Sequence, residues 1–127
     1  MTAPKWIESV VLDFGRAAGL SNLAINERGA AAVVFENGVK LRLEYAFDSL
    51  VVAVTVPAHL NSSVARRLLA YANPAMRRTF RLRAGWLQKS SSAVFAARLA
   101  DREVTLPSIN AVFAELWRIA QDFGGVA

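Results

Sequence analysis

The first half of the chain contains a hydrophobic pattern that a sheet satisfies and a helix does not. In residues 39–45 apolar side chains alternate with charged ones, which is the period of a strand with one buried face. The turn signals Asn37-Gly38 and Asp48-Ser49 separate this segment from a strand on either side. Residues 50–56 are almost entirely apolar until Pro57, so we expect a central strand that is covered on both faces.

Helical periods occur at three other places. Residues 4–19 and the segment from Thr105 to Phe123 carry apolar side chains at i, i+3, i+4 and i+7, which predicts two amphipathic helices. Between them "LNSSVARRLLAYANP" predicts a shorter helix with Ser62 or Ser63 as N-cap. Two further strands, "TFRLRAGWLQ" and "AVFAARLA", precede the last helix. The order α-β-β-β-α-β-β-α predicts an α+β fold, with helices packed on a twisted antiparallel sheet.

Length and composition favour one domain. A chain of 127 residues can bury a single core, and we expect residues 1–127 to form one domain with its core between about residues 5 and 123. No uncharged run reaches the roughly 20 residues of a membrane span. Because Glu8 and Asp13 interrupt the first apolar segment, no signal peptide is predicted, and the absence of cysteine is compatible with the cytoplasm.

Positive charge is concentrated in the middle of the chain. The net charge is +5, and no acidic residue occurs between Asp48 and Asp101. Such a block favours an acidic partner, and a solvated surface is the plain alternative. The candidate basic patch consists of Arg66, Arg67, Arg77, Arg78, Arg81 and Arg83. On these residues the chain could be a nucleic-acid-binding module, and such binding would weaken steeply with salt.

The segment "TFRLRAGWLQ" weighs against a nucleic-acid platform. In a strand, Phe80 and Trp86 share one face, whereas Arg81 and Arg83 lie on the other. Single-strand binders place aromatic faces and cations in one groove, and this spacing separates them. The apolar face of the strand must then be covered by something else.

The sequence contains little that indicates catalytic chemistry. His59 is the only histidine, and it has no cysteine or neighbouring acid to complete a metal site or a nucleophile and base pair. The segment "FGRAAG" lacks the lysine of a phosphate-binding loop. We therefore expect no enzyme, no metal and no cofactor. A small-molecule domain remains an alternative, and it would need a cavity lined by converging polar groups.

Taken together, these segments resemble the class I type III secretion chaperones. The resemblance covers about residues 5–123. It is carried by "GLSNLAINERG" after the first helix, the turn "FENGVKLRLEY", the strand "LVVAVTVP", the helix "SSVARRLLAYANP", the pair "FRLRAGWLQ" and "AVFAARLA", and the closing "FAELWRIAQDF". Members of that family are usually acidic, whereas this chain is basic.

The resemblance implies a function and a set of contacts. It implies a homodimer, cytoplasmic and without catalytic activity, that binds an extended N-terminal segment of a secreted effector by strand addition and apolar pockets. It implies dimerisation through the second helix and the following strand, with Leu68, Leu69, Phe80 and Trp86 at the interface. It implies client contact at Val33, Phe35, Leu41, Leu43 and Phe95. For each of these residues, ordinary burial in the core is the alternative.

Overall fold

A computed structural model describes residues 3–20, 23–72 and 81–124. The predicted order of elements is confirmed, with one short 3-10 turn added at Asp101–Glu103. The helices are α1 (Lys5–Ala17), α2 (Ser62–Ala72) and α3 (Leu106–Gly124). The strands are β1 (Ala30–Val34), β2 (Lys40–Ala46), β3 (Ser49–Pro57), β4 (Leu82–Leu87) and β5 (Ser92–Ala100).

The five strands form one antiparallel sheet in the order β1-β2-β3-β5-β4. The strands β1 and β4 are therefore the two edges, at opposite ends of the sheet. Its register brings distant residues into rows. Arg42 lies opposite Ala53, Ala53 opposite Ala96, and Ala96 opposite Arg83.

One face of the sheet is covered by the three helices. The inward residues of β3 are Leu50, Val52, Val54 and Val56, and all are buried. Helix α3 packs on β3 and β5, α1 packs on α3, and α2 packs on β4. Their apolar sides join the strands in one cluster, which includes Ile7 of α1, Leu68 of α2 and Leu116 of α3. The alternation seen in the sequence of β2 is thus explained by this single covered face.

The expectation that β3 is covered on both faces is wrong. Val51, Ala53 and Thr55 point to the opposite side and remain partly exposed. The described helices all contribute to the cluster on the other side. These side chains lie between those of the two neighbouring strands, β2 and β5. The neighbouring strands shield part of their surface from solvent although no second layer of the described chain covers them. We call this side of the sheet the open face.

The ends of the helices agree with those predicted from the sequence, with one exception. Gly19, at φ 74°, follows the end of α1, as predicted for a glycine after a helix. Thr105 and Ser108 cap α3 reciprocally, each side-chain oxygen accepting from the other's main-chain N–H. The N-cap of α2 is Asn61, whose Oδ1 accepts from the main-chain N–H of Val64 at 2.9 Å. The proposed caps Ser62 and Ser63 lie inside the helix instead.

The turn between β2 and β3 falls one residue earlier than its sequence signal. Ala46 pairs with Ser49, so Phe47 and Asp48 form a two-residue turn. Their φ angles are 52° and 57°, the left-handed conformation that such a turn requires at both positions. Phenylalanine is an unusual residue here, and its side chain is 81% exposed.

Candidate functional site

The outer edge of β1 presents unpaired main-chain groups. The N–H of Phe35 donates to the carbonyl oxygen of Val39 at 2.9 Å, so this pair is hydrogen-bonded. Because hydrogen-bonded and non-bonded pairs alternate in an antiparallel ladder, the main-chain groups of Ala32 and Val34 point away from β2. Two N–H and two C=O groups are thereby available to a further strand.

Asn26 limits this free edge at one end. Its main-chain N–H donates to the carbonyl oxygen of Ala30 at 2.8 Å, and its Oδ1 accepts from the N–H of Ala30 at 3.1 Å. Both outward groups of Ala30 are therefore occupied by the chain itself. The stretch that can pair with another strand begins at Ala32.

Apolar side chains flank the free edge on both faces. Val34 is 66% exposed on the open face. On the covered face, Val33 and Phe35 are only partly buried. The Phe35 ring contacts Trp117 of α3, with ring centroids 4.7 Å apart and planes at 61°. We call Ala32, Val33, Val34, Phe35 and Trp117 the β1 edge site.

Three residues expected to contact a client lie in the core. Leu41, Leu43 and Phe95 are 0% exposed. Phe95 is enclosed by the rings of Tyr71 and Phe123, with centroids 5.5 Å and 5.4 Å away. In the folded chain these three side chains therefore pack in the core, which was the alternative for each of them.

The residues expected at a dimer interface lie in different environments. Leu69 of α2 is 71% exposed, whereas Leu68 is 9% exposed and belongs to the core. Trp86 of β4 is partly buried against the same core. Phe80 lies outside the described residues. Of the predicted interface residues that the structure describes, Leu69 is the one that is largely exposed.

The sheet divides the predicted basic patch. Helix α2 lies on the covered side, where Tyr71 contacts Phe95, so Arg66 and Arg67 are on that side of β4. Arg83 follows the alternation of β4 onto the open face, opposite Ala96, and Arg81 precedes it by two residues. Arg77 and Arg78 lie outside the described residues. The described arginines of the predicted patch are therefore divided between the two faces of the sheet.

Arg67 is engaged within the fold. Its Nη2 donates to the carbonyl oxygen of Asp122 at 2.9 Å, and its Nη1 donates to that of Phe123 at 3.4 Å. Its guanidinium carbon also lies 5.4 Å from the centre of the Phe123 ring. The last carbonyls of α3 have no partners within their own helix, and Arg67 supplies them. Arg67 therefore contributes to the fold.

The described part of the chain lacks the features of a metal site and of a membrane span. There, no group of three or more His, Asp or Glu residues could hold a metal ion. His59 is exposed in the loop before α2. Within those same residues, none of the helices has the length and apolar character to span a membrane.

Sequence reasoning missed the position of Trp117. It belongs to the apolar stripe predicted from Thr105 to Phe123, but it is partly exposed beside Phe35. Phe113 adjoins it, with ring centroids 5.8 Å apart, and continues to Phe14 of α1 at 5.4 Å. The signal in the sequence was the pair of aromatic residues Phe113 and Trp117, which lie one turn apart in the helical stripe. Both are only partly buried.

Solved structures with this fold define a class of protein. The chain superposes on a chain of the ExsC-ExsE complex with a TM-score of 0.81 and 21% identity, covering 98% of this chain and 95% of that one. A chain of the HopA1-SchA chaperone-effector complex gives 0.75 and 18%, with 97% and 98% covered. A chain of the complex between the Yersinia pestis type III secretion chaperone SycH and a stable fragment of YscM2 gives 0.70 and 17%, with 92% and 98% covered. The fold is that of the type III secretion chaperones.

The sequence itself identifies the family. Residues 6–123 match the family model described as type III secretory system chaperone SycN, and the chain belongs to that family. No curated protein sequence is significantly similar to it. The family is one of chaperones, and the expected chaperone class and α+β fold are therefore confirmed.

Proposed function

We propose that this chain is a dimeric chaperone that binds an extended N-terminal segment of a secreted effector and keeps it competent for export. The observation that carries the proposal is the β1 edge site, where free main-chain groups adjoin exposed apolar side chains. A client strand added there gains main-chain hydrogen bonds whatever its sequence, and alternate side chains can pack on Val34 or Phe35. A solved complex of similar fold contains a chaperone and its effector, which supports an effector as partner.

The second part of the proposal is a homodimer formed through α2 and β4. Leu69 exposes most of its surface on α2, and burying a leucine contributes about 1.5–3 kcal/mol. The edge of β4 adjoins α2 and lies at the far end of the sheet from β1. The two functions therefore use separate surfaces, and dimerisation leaves the β1 edge site accessible.

Light scattering after size exclusion tests the dimer. We expect a mass near twice 13.8 kDa that does not change with salt concentration. Leu69→Glu should give a monomer, because a charge at this position cannot be buried without a partner. Leu12→Glu, at an exposed leucine of α1, is the matched control and should remain dimeric. A monomeric parent chain would contradict this part of the proposal.

Co-purification tests the client site. The probes are the N-terminal segments of secreted proteins encoded beside the gene for this chain, each co-expressed with it. Ala32→Pro removes one outward N–H at the edge, where proline is tolerated in a sheet, and should abolish co-purification. Ala32→Val keeps the N–H and should retain the segment. Equal capture by the two folded variants would exclude strand addition at β1.

A further inference from the structure

We propose that a cleft on the open face binds the carboxylate groups of an acidic protein segment, at a site separate from the β1 edge site. The cleft has a volume of about 480 Å³ and lies over β3, β5 and the start of β4. Arg81, Arg83 and Arg98 form its walls. We call it the arginine cleft. It lies toward the β4 end of the sheet, so binding there does not depend on client addition at β1.

The register of the sheet brings these arginines together. Arg83 lies opposite Ala96 on β5, and Arg98 is two residues farther along β5 on the same face. Val51 lies opposite Arg98 on β3, and both Val51 and Ala96 line the cleft. Such small side chains leave space for an acidic side chain to approach the three cations from above.

One arginine is held in place and two are available. Arg98 Nε donates to Ser49 Oγ at 2.8 Å, which fixes the guanidinium against β3. Among the described residues, no carboxylate lies within 4.0 Å of Arg81 or Arg83 to form an ion pair. Both are exposed. Their guanidinium groups can therefore bind a carboxylate in the bidentate geometry that arginine favours.

The charge of the cleft favours an anion. Glu103 is the acidic residue in its lining, against three arginines. Glu103 Oε1 accepts from the main-chain N–H of Ala100 at 3.0 Å, so part of its capacity is already used. The net positive potential of such a cleft raises the local concentration of acidic groups.

The chemistry of the open face favours a protein over a nucleic acid. The outward residues of its five described strands include no aromatic side chain, and the rings of Trp86 and Phe95 lie on the covered side. Base stacking, which single-strand binders require, therefore has no platform there. Alternate residues of an extended peptide are roughly 7 Å apart, and Arg81 and Arg83 are two residues apart at the start of β4. An extended segment with acids at alternate positions matches that spacing.

Fluorescence anisotropy tests this proposal on the whole chain. The probe is a labelled peptide of repeated Glu-Ser pairs, and the corresponding Gln-Ser peptide should not bind. Arg81→Gln and Arg83→Gln should each weaken binding by about tenfold, the loss expected for one charge-assisted hydrogen bond. Arg66→Gln, at an exposed arginine on the other side of the sheet, should change it by less than about twofold. Circular dichroism checks that each variant is folded.

A gain of affinity gives an independent measurement. Glu103→Gln keeps an oxygen to accept from Ala100 and removes the negative charge, so it should tighten binding by about threefold. A misfolded variant would not produce this increase. Unchanged affinity in Arg81→Gln and Arg83→Gln would overturn the proposal. Tighter binding of oligothymidylate than of the peptide, at matched charge, would also overturn it and favour a nucleic-acid partner. Neither result depends on whether an effector binds at β1.

Discussion

Arg67 of α2 donates a hydrogen bond from Nη2 to the carbonyl oxygen of Asp122 at 2.9 Å, and the same nitrogen lies 3.7 Å from the Asp122 carboxylate. Tyr71, one turn later on α2, donates its hydroxyl to that carboxylate. The C-terminal end of a helix carries partial negative charge, so a cation there is favourable. These contacts join α2 to the end of α3.

Replacing Arg67 should weaken this junction. We expect Arg67→Ala to lower the free energy of unfolding by about 1–2 kcal/mol, since it leaves carbonyls of α3 without a protein donor and removes packing against Phe123. Urea unfolding followed by circular dichroism measures the change. The neighbouring Arg66→Ala removes an exposed arginine and should have an effect within about 0.5 kcal/mol. Equal effects of the two substitutions would show that the contacts to α3 contribute nothing measurable.

Tyr45 should make stability depend on alkaline pH. Its hydroxyl donates to Asp101 Oδ1 at 2.8 Å, and this bond, followed by burial, raises the pKa of Tyr45 to about 12. An unfolded tyrosine ionises near pH 10, so the raised pKa stabilises the fold fully below pH 10. That contribution is lost as the pH rises through 12. The parent chain should therefore lose more of its free energy of unfolding than Tyr45→Phe over this range.

Urea midpoints of the two chains, measured from pH 8 to pH 12, test the role of Tyr45. The parent should be the more stable at the lower pH, and the difference should shrink as the pH rises. Burial, followed by the hydrogen bond to Asp122, also raises the pKa of Tyr71. Because Tyr71 is present in both chains, its contribution cancels in the difference between their free energies of unfolding. A difference that stays constant with pH would mean that Tyr45 does not titrate as described.

Replacing Phe47 should stabilise the turn between β2 and β3. Its φ of 52° is costly for a bulky residue, whereas asparagine adopts this region readily. Because the side chain is 81% exposed, its removal sacrifices little packing. We expect Phe47→Asn to raise the melting temperature, with a gain of about 0.5–1 kcal/mol. Phe47→Val keeps a side chain unsuited to positive φ and should not be stabilising. Destabilisation by Phe47→Asn would indicate that the phenylalanine makes a stabilising contact.

Gly15 should resist replacement although it lies within α1. Alanine is the better helix former by about 1 kcal/mol, but a Cβ at Gly15 would lie 2.9 Å from Cβ of Leu23 and 3.1 Å from the carbonyl oxygen of Leu20. We expect Gly15→Ala to destabilise the fold by about 1–3 kcal/mol. At Gly85 the nearest atom is 3.6 Å away, so Gly85→Ala should have a small effect. Thermal unfolding of both variants makes the comparison, and a stabilising Gly15→Ala would disprove the close contact.

Periodicity was sufficient to predict the elements because it depends only on which residues face the core. The alternation in residues 39–45 and the stripe of α3 each require one covered face, and both are observed. Periodicity does not say what covers a face. The nearly all-apolar composition of β3 led to the expectation that both of its faces are covered, and the resemblance led to the expectation that Leu41, Leu43 and Phe95 contact a client.

The sites depend on contacts between segments that lie far apart in the sequence. Arg98 meets Arg83 only through the pairing of β4 with β5, and no local spacing specifies that register. Arg67 resembles its neighbour Arg66 in the sequence, and only the position of α3 distinguishes them. The β1 edge site could be anticipated in part, because Val33 and Phe35 were named from the resemblance, whereas Trp117 required the packing of α3 beside them.

Because the sheet has two edges, β1 and β4, the chain has two places at which another strand could pair. Pairing of two identical β4 edges about a twofold axis closes after two copies, whereas pairing of β1 with β4 would repeat from copy to copy without limit. The choice of edge thus separates a finite assembly from a fibre. The strand β1 has only five residues, and Asn26 occupies the outward groups at one end of it. Few main-chain groups therefore remain through which a fibre could form.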